Sequence, residues 1–392
     1  MLISKSRFYE ICLFLIFVVF MIPSHVAAGN QLISYIKILG LFISLYLFLT
    51  NKLYMKKKLL LFWFWIGWSF IASLINRNNA QISFSYIHPI FSTICILEHL
   101  FKKSPKHTFN YLMVAFCILN VVQFLSFIEK GSSYGTTSSI VYFMGYRVGY
   151  NEFFMFAVFI ACVSLSLHYL SSIIYNLLII IPGIIFIFSC KLSTLLLGTF
   201  CFILLYLIHE IFPKNRKWFF MSFLVLLFSI FFVFGASDPK RFSWVLVDLL
   251  GEDVTLSGRT YLWRDALSQM HGIHWLIGNG FAHKQTFCIN MVWCTNTAHS
   301  NYANIIFKFG IIGLFIYCAL LYQTLKGIDD LPSSIQSLFF AFYITIILLG
   351  IATSFYSSIF QIIILFISQD GYTKKILDFA NKKYKRIKIE IA

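Results

Sequence analysis

The sequence predicts an all-α polytopic membrane protein with about twelve transmembrane helices and one large periplasmic loop that contains short interfacial helices. Hydrophobic residues make up 59% of the 392 residues, and charged residues only 12%. A soluble domain carries roughly a quarter of its residues as Asp, Glu, Lys or Arg, so this composition excludes a soluble globule. An outer-membrane barrel is excluded because its strands alternate over about ten residues, whereas the apolar runs here are continuous and about twenty residues long.

The apolar runs give the spans in chain order, each long enough to cross the hydrocarbon core. The first run follows Lys5 and Arg7 and ends near Val26, so a cleavable signal peptide also fits it. Its full span length favours a retained helix. The predicted spans lie near residues 8–28, 32–50, 59–75, 82–100, 109–128, 151–170, 172–189, 192–212, 218–236, 303–323, 336–354 and 356–369.

The basic residues give the orientation, because Lys and Arg concentrate in cytoplasmic loops. With the N-terminus inside, most of the 31 Lys and Arg residues fall in segments that would be cytoplasmic. The net charge of +16 therefore indicates topology and not nucleic-acid binding. Both termini are predicted to be cytoplasmic.

Four regions follow from these spans. Residues 1–236 carry the first nine spans, 237–302 form the periplasmic loop, 303–369 carry the last three spans, and 370–392 form a basic tail. The tail either contacts anionic lipid headgroups or serves only as a topology anchor.

The periplasmic loop contains a cationic helix. Leu262, Trp263 and Ala266 fall on one face of a segment that begins at Arg259, which predicts an interfacial helix. With Ser257 as the N-cap, Arg259 would lie in the first turn beside free backbone N–H groups, a natural position for a phosphate. The alternative is an arginine that only anchors a surface helix.

Further candidate site residues lie at the outer ends of spans or in the loop. Lys191 and Arg147 lie close to hydrocarbon, where an ionisable group usually has a partner or a function, although each could simply reach the headgroups. Arg264 is a further cation of the loop. His299, where the loop meets the tenth span, could activate a hydroxyl or could be a hydrogen-bonded structural histidine.

Cys288 and Cys294 share the loop, and an oxidising compartment would permit a disulfide between them. A zinc site is less favoured, because His283 and His299 form no recognised metal spacing with these thiols. The sequence contains no G-x-x-x-x-G-K-[ST] motif, and the acids on the outer side include no D-x-D pair. ATP hydrolysis and metal-dependent sugar transfer are therefore disfavoured, and we predict no cofactor.

Several motifs together resemble the O-antigen polymerase and O-antigen ligase family of bacterial inner membranes. They are S-G-R-T-Y-L-W from Ser257, L-I-G-N-G from Leu276, A-H-S-N-Y from Ala298 and G-I-I-G-L from Gly310. His299, Tyr302 and Gly310 correspond to residues of the family pattern. Ser300 replaces its usual asparagine, Lys308 a frequent glutamate, and Lys191 an arginine.

The resemblance implies a C-type glycosyltransferase architecture in the bacterial inner membrane. Its substrate would be a glycan linked to undecaprenyl diphosphate, with membrane lipids around it, a chain-length regulator as a further partner, and no metal. In this interpretation His299 and Arg259 are catalytic, and Lys191, Arg147, Arg264 and Tyr302 bind the diphosphate or the glycan. A polymerase is favoured over a ligase that uses lipid A core, and a glycolipid transporter is the alternative from another class.

Overall fold

The computed structural model of the chain describes residues 5–23, 26, 29–78, 80–131, 142–143, 149–166, 172–190, 192–212, 215–236, 258–281, 287–289, 293–295, 297–328, 331, 333–354 and 358–368. Within these residues the helices follow the predicted order of spans. They are α1 Lys5–Met21, α2 Gln31–Thr50, α3 Leu60–Ile75, α4 Ala80–Lys103, α5 Pro105–Lys130, α6 Gly149–Ser166, α7 Ser172–Ser189, α8 Ser193–Ile211, α9 Asn215–Ala236, α10 Arg259–Ser268, α11 His274–Ile277, α12 Asn301–Ile328, α13 Ser333–Leu349 and α14 Ile359–Ile367.

Each predicted span overlaps one of these helices. In the described part of the chain, six helices are long and apolar enough to cross a membrane, namely Gln31–Thr50, Lys57–Ile75, Pro105–Lys130, Thr194–Ile211, Lys217–Gly235 and Asn301–Ile328. Shorter apolar helices cover Phe153–Ser166, Ile173–Ser189 and Ile335–Leu349. The protein is therefore a multi-pass, essentially all-α membrane protein, and the count of twelve crossings stays a prediction.

The outer faces of the helices carry large apolar side chains. Phe42 in α2, Phe64 in α3 and Phe231 in α9 are 63%, 54% and 69% exposed. Such faces would be unfavourable in water but match the hydrocarbon of a bilayer. The exposure pattern thus agrees with the composition.

Two predicted span ends were wrong, and both ends have a local cause. Helix α1 ends at Met21 and not near residue 28, because Pro23 follows and the residue before a proline avoids the helical conformation. Helix α13 ends at Leu349 and not near residue 354, with Gly350 directly after it. Glycine is a poor helix former, which favours an end at this position.

A proline in α7 leaves a backbone carbonyl without its helical hydrogen bond, and a buried asparagine of α5 supplies the missing donor. Pro182 has no N–H, so the carbonyl of Leu178 one turn earlier receives no helical hydrogen bond from it. Asn120 of α5 donates its Nδ2 to Leu178 O at 3.0 Å and to Ile179 O at 2.9 Å. The Tyr150 hydroxyl donates to Asn120 Oδ1 and fixes that amide. The three helices α5, α6 and α7 are thereby joined.

The two ends of the bundle differ in chemistry. Lys56 and Lys58 pair with the buried carboxylate of Glu98, the latter at 3.2 Å, and Lys103 lies 3.8 Å from Glu10. The three lysines belong to segments predicted to be cytoplasmic, and the two acids lie near the cytoplasmic ends of predicted spans. The opposite end, here called the outer end, joins segments predicted to be periplasmic, as Asn78 shows by donating to Asn279 O at 2.6 Å. The segments predicted to lie on one side of the membrane thus meet at one end of the bundle, and the side on which each end lies stays a prediction.

Helix α12 is broken at Gly310, whose φ of 66° and ψ of −168° are accessible only to glycine. The break leaves the preceding carbonyls without helical partners. Asn279 N donates to Phe307 O at 2.8 Å, Gly280 N donates to Lys308 O at 2.7 Å, and Trp68 Nε1 donates to Phe309 O at 2.8 Å.

The Gly278–Gly280 turn therefore docks into the broken helix. A Cβ atom on Gly278 would lie 2.3 Å from the backbone of Lys308, and one on Gly310 would lie 2.2 Å from Leu276 O. Two of the motifs that carry the family resemblance thus form one contact, although they lie about 30 residues apart in the sequence.

The loop also contains a short hairpin that the sequence interpretation missed. Strands β1 Phe287–Ile289 and β2 Trp293–Thr295 pair antiparallel, with Cys288 opposite Cys294. Short helices are present in the loop region as α10 and α11, and their position at the membrane interface stays a prediction. Each strand has only three residues, which is too short to show the alternation of apolar and polar side chains that predicts a strand.

Candidate functional site

Helix α10 presents Arg259 at its first position, as the sequence predicts. Its N-cap, however, is Gly258 with φ of 86°, and no side chain caps the helix. The prediction of Ser257 as the N-cap was wrong, and Ser257 itself lies outside the described residues. Because the helix begins at Arg259, this residue still lies near the free N–H groups of a helix start, as predicted.

The apolar face of α10 fixes the position of that arginine. Leu262, Trp263 and Ala266 are fully buried, and Met270 just beyond the helix is buried as well, which confirms the predicted face. The helix packs against β1 and against α12. Arg259 is therefore held on a rigid element rather than on a loose loop.

His299 lies in the turn that leads into α12. Its φ of 49° is in the left-handed region, which histidine occupies more readily than most residues with a side chain. Its backbone N–H donates to Thr297 Oγ1 at 3.2 Å. A residue held in this uncommon conformation requires a surrounding structure that determines it.

Asn304 supplies that structure from the first turn of α12. Its Oδ1 accepts from Ala298 N at 3.1 Å, and its Nδ2 donates to Thr297 Oγ1 at 3.0 Å and to Ser300 O at 2.7 Å. The same Nδ2 lies 2.6 Å from Ser354 Oγ. Asn304 was not predicted as a site residue, although an asparagine among apolar residues was a signal for it.

The start of α12 is fixed in the same way. Asn301 N donates to Gly350 O at 2.7 Å, and Asn301 Nδ2 donates to the Tyr317 hydroxyl at 2.6 Å. Ser300, which replaces the family asparagine, donates its Oγ to Gly350 O at 3.3 Å. The segment that follows α13 thus holds the His299 turn in place through the carbonyl of Gly350.

The imidazole of His299 lies within electrostatic reach of Arg259. Burial, and after it the positive charge of Arg259, lower the pKa of His299 from 6.5 to about 4. The ring is therefore neutral near pH 7 and keeps a lone pair that can accept a proton. The structure thus brings the two predicted catalytic residues together, and their catalytic roles stay predictions.

The other predicted site residues differ in their positions. Tyr302 is buried, and its hydroxyl donates to Ile347 O at 2.8 Å, which favours a packing role. Arg264 is exposed on α10, and its guanidinium lies 5.1 Å from the centre of the Tyr261 ring.

Lys191 and Arg147 lie outside the described residues. Their described neighbours meet at the outer end, where the Tyr142 hydroxyl lies 4.0 Å from Cys190 Sγ. The positions of the two cations stay predictions.

The cysteines fall into two groups. Seven cysteines of the described residues form no disulfide, as predicted for packing residues, namely Cys12, Cys95, Cys117, Cys162, Cys190, Cys201 and Cys318. Cys288 and Cys294 occupy opposite positions of the hairpin backbone. Across the residues that the structure describes, no group of three or more His, Cys, Asp or Glu side chains could hold a metal ion.

Part of the chain matches a protein-family model. Residues 154–318 match the family model described as O-Antigen ligase, a segment that runs from α6 into α12 and includes Arg259, His299 and Gly310. Comparisons with curated proteins and with solved structures give no match. The resemblance found in the sequence is thereby confirmed: residues 154–318 carry a domain of the O-antigen ligase and polymerase family.

Proposed function

We propose that the protein is a polymerase of surface polysaccharide. Proteins of its family transfer glycans, and this coarse activity follows from the matched domain. In the proposed reaction a growing glycan moves from undecaprenyl diphosphate to a hydroxyl of a new lipid-linked repeat unit on the periplasmic side. The proposal is supported most strongly by the electrostatic coupling of His299 to the cationic Arg259, which together with burial lowers the pKa of the imidazole.

The two side chains match the two needs of such a transfer. His299 accepts the proton of the attacking hydroxyl, so that its oxygen forms the new bond to the anomeric carbon. The bond from that carbon to the diphosphate breaks, and Arg259 stabilises the negative charge on the leaving group. Displacement in one step inverts the anomeric configuration. Lys191 and Arg147 are proposed as further cations around the diphosphate.

Metal-independent chemistry is part of the proposal. A guanidinium supplies the charge that a divalent cation would otherwise supply to a diphosphate. Removing one such contact commonly costs about 3 to 4 kcal/mol at the transition state, or a rate loss of about 10² to 10³.

A ligase is the second candidate, because the matching family model bears that description. It would use the same donor and the same side chains but would transfer the glycan to lipid A core. Transport is less favoured, since the carbonyls freed by the break in α12 are satisfied by the Gly278–Gly280 turn and by Trp68. A transporter would use such carbonyls to line a substrate path.

The test is a reaction with purified protein and lipid-linked repeat units as the sole substrate. A polymerase converts them to a ladder of longer chains. A ligase yields no product until lipid A core is added. Failure of both reactions would contradict glycan transfer by this protein.

A further inference from the structure

Lys308 is an ionisable side chain within an apolar sequence, I-I-F-K-F-G-I-I-G-L. It lies in α12 just before the break at Gly310 and is partly exposed. A charged residue so close to hydrocarbon is expensive and usually has a function. The proposed mechanism above does not use it.

Two stacked aromatic rings lie near the ammonium group of Lys308. Tyr86 of α4 and Phe281 stack with ring centres 4.8 Å apart and planes 4° apart. Lys308 Nζ lies 5.3 Å from the Phe281 ring and 5.9 Å from the Tyr86 ring, within the range of cation–π attraction. Phe281 is buried, whereas the Tyr86 side chain is 49% exposed. The cluster of Lys308, Tyr86 and Phe281 is called the lysine cluster below.

Backbone hydrogen bonds hold this cluster in place. Gly280 N donates to Lys308 O at 2.7 Å, and Phe281 N donates to Ser73 Oγ of α3 at 3.0 Å. Phe281 also packs edge-to-face on Phe309, with ring centres 5.1 Å apart. Three helices therefore position the aromatic rings before any ligand arrives, which lowers the entropic cost of binding.

The lysine cluster has a defined place relative to His299. Lys308 follows Asn304, which holds the His299 turn, by four residues, so it lies about 6 Å further along the helix axis, toward the membrane. A lipid-linked glycan carries its phosphates at headgroup level and its sugars further out. A phosphate at Lys308 would therefore direct the attached sugars toward the His299 turn.

We propose that the lysine cluster binds the diphosphate of the acceptor, a second polyprenyl-linked molecule whose sugar hydroxyl reaches His299. This inference rests on the proposed function, which needs two lipid-linked substrates at once. Arg259 contacts the diphosphate of the donor, and Lys308 contacts that of the acceptor. The ammonium donates hydrogen bonds to phosphate oxygens, and the exposed Tyr86 ring covers the first apolar or sugar group beside them.

The test counts the molecules of undecaprenyl diphosphate, used without glycan, that bind to the purified full chain in native mass spectrometry. We expect wild-type protein to bind a second molecule. Lys308→Gln weakens one of the two binding events about tenfold or more, because a charge-assisted contact is lost. Lys308→Arg retains it. Arg259→Gln weakens the other event, and the double variant weakens both.

The matched control is Lys326→Gln, which removes an exposed lysine at the other end of α12 and leaves both binding events intact. Thermal unfolding verifies that each variant folds. If Lys308→Gln does not fold, Tyr86→Ala, which truncates a half-exposed ring, must weaken the same event. Unchanged binding in the folded Lys308 or Tyr86 variant would overturn the proposal.

A second arm identifies the source of the phosphate. Phosphatidylglycerol must fail to displace the second undecaprenyl diphosphate from wild-type protein. Equal competition would assign the lysine cluster to bulk anionic lipid and overturn the acceptor proposal. Because binding is measured without transfer, absence of a glycan ladder would contradict the proposed function and not this assignment.

Discussion

At the residue scale, His299 combines an uncommon backbone conformation with an altered acidity. Its φ of 49° is maintained by a network that centres on Asn304. Its pKa of about 4 results first from burial and then from Arg259. An imidazole that is neutral over the physiological range can serve as a general base without prior deprotonation.

The first prediction concerns pH. Because the base form of His299 exists above its pKa, kcat/KM should fall on the acid side near pH 4, since this parameter reports the free enzyme. Arg259→Gln removes one of the two causes of the lowered pKa. The acid limb of the pH profile should therefore move toward pH 6.5, and burial should keep it below that value. The measurement is the pH profile of chain elongation with purified protein.

Lys130→Gln is the control for this profile. It removes a cation at the end of α5, whereas the charge that lowers the pKa of His299 is that of Arg259. The acid limb of the pH profile should therefore be the same in Lys130→Gln as in the wild type. An Arg259→Gln limb that coincides with the wild-type limb would contradict the electrostatic contact between the two residues.

At the element scale, the sequence predicts what depends on local pattern. Apolar run length gives the positions of the long helices, and the helical period gives the buried face of α10. The break in α12 could not be predicted in this way. Gly310 is compatible with an intact helix, and only the docking of the Gly278–Gly280 turn satisfies the carbonyls that the break exposes.

The second prediction tests that break. Gly310→Ala places a Cβ atom 2.2 Å from Leu276 O in a backbone conformation that alanine avoids. We expect a loss of about 3 kcal/mol or more in the free energy of unfolding, together with loss of activity. Thermal unfolding in detergent is the measurement.

Gly67→Ala in α3 is the matched control, because a Cβ atom there meets nothing within 4 Å. This variant should be as stable as the wild type or slightly more stable, since alanine favours the helix. Equal stability of Gly310→Ala and Gly67→Ala would contradict the docked turn.

The third prediction concerns the hairpin. Directly opposite residues of an antiparallel pair have Cα atoms about 4.5 to 5.5 Å apart, which lies within the range that a disulfide spans. We predict that Cys288 and Cys294 form a disulfide in an oxidising compartment. Without reductant, a thiol reagent should label the seven other cysteines of the denatured protein.

Reductant should raise that number to all nine cysteines. Cys288→Ser serves as the control, because it releases Cys294 for labelling without reductant. Nine labelled cysteines in unreduced wild-type protein would contradict the disulfide.

At the scale of the whole molecule, the candidate site joins segments that are remote in sequence. Asn76 donates to Gly278 O at 2.9 Å, and Thr297 Oγ1 lies 3.0 Å from Ser354 Oγ. The sequence predicts the side of the membrane on which these segments lie. It does not predict which of them meet, because such pairings depend on tertiary packing and not on any local period.

The two predicted catalytic residues lie at the outer end of the bundle, away from the paired lysines. Lys56 and Lys58 pair with Glu98 at the end opposite to the outer end. Arg259 and His299 lie at the outer end. A lipid-linked substrate whose sugars lie outside the membrane would therefore meet the candidate site directly.

The central claim is that His299 and Arg259 carry out glycan transfer. The most direct measurement is gel analysis of surface polysaccharide from a strain that lacks the protein and expresses His299→Ala or Arg259→Ala at the wild-type level. Both variants should insert into the membrane and yield only core that carries a single repeat unit. Long chains of normal distribution from either variant would exclude that residue from the mechanism, and normal chains from both would contradict the account.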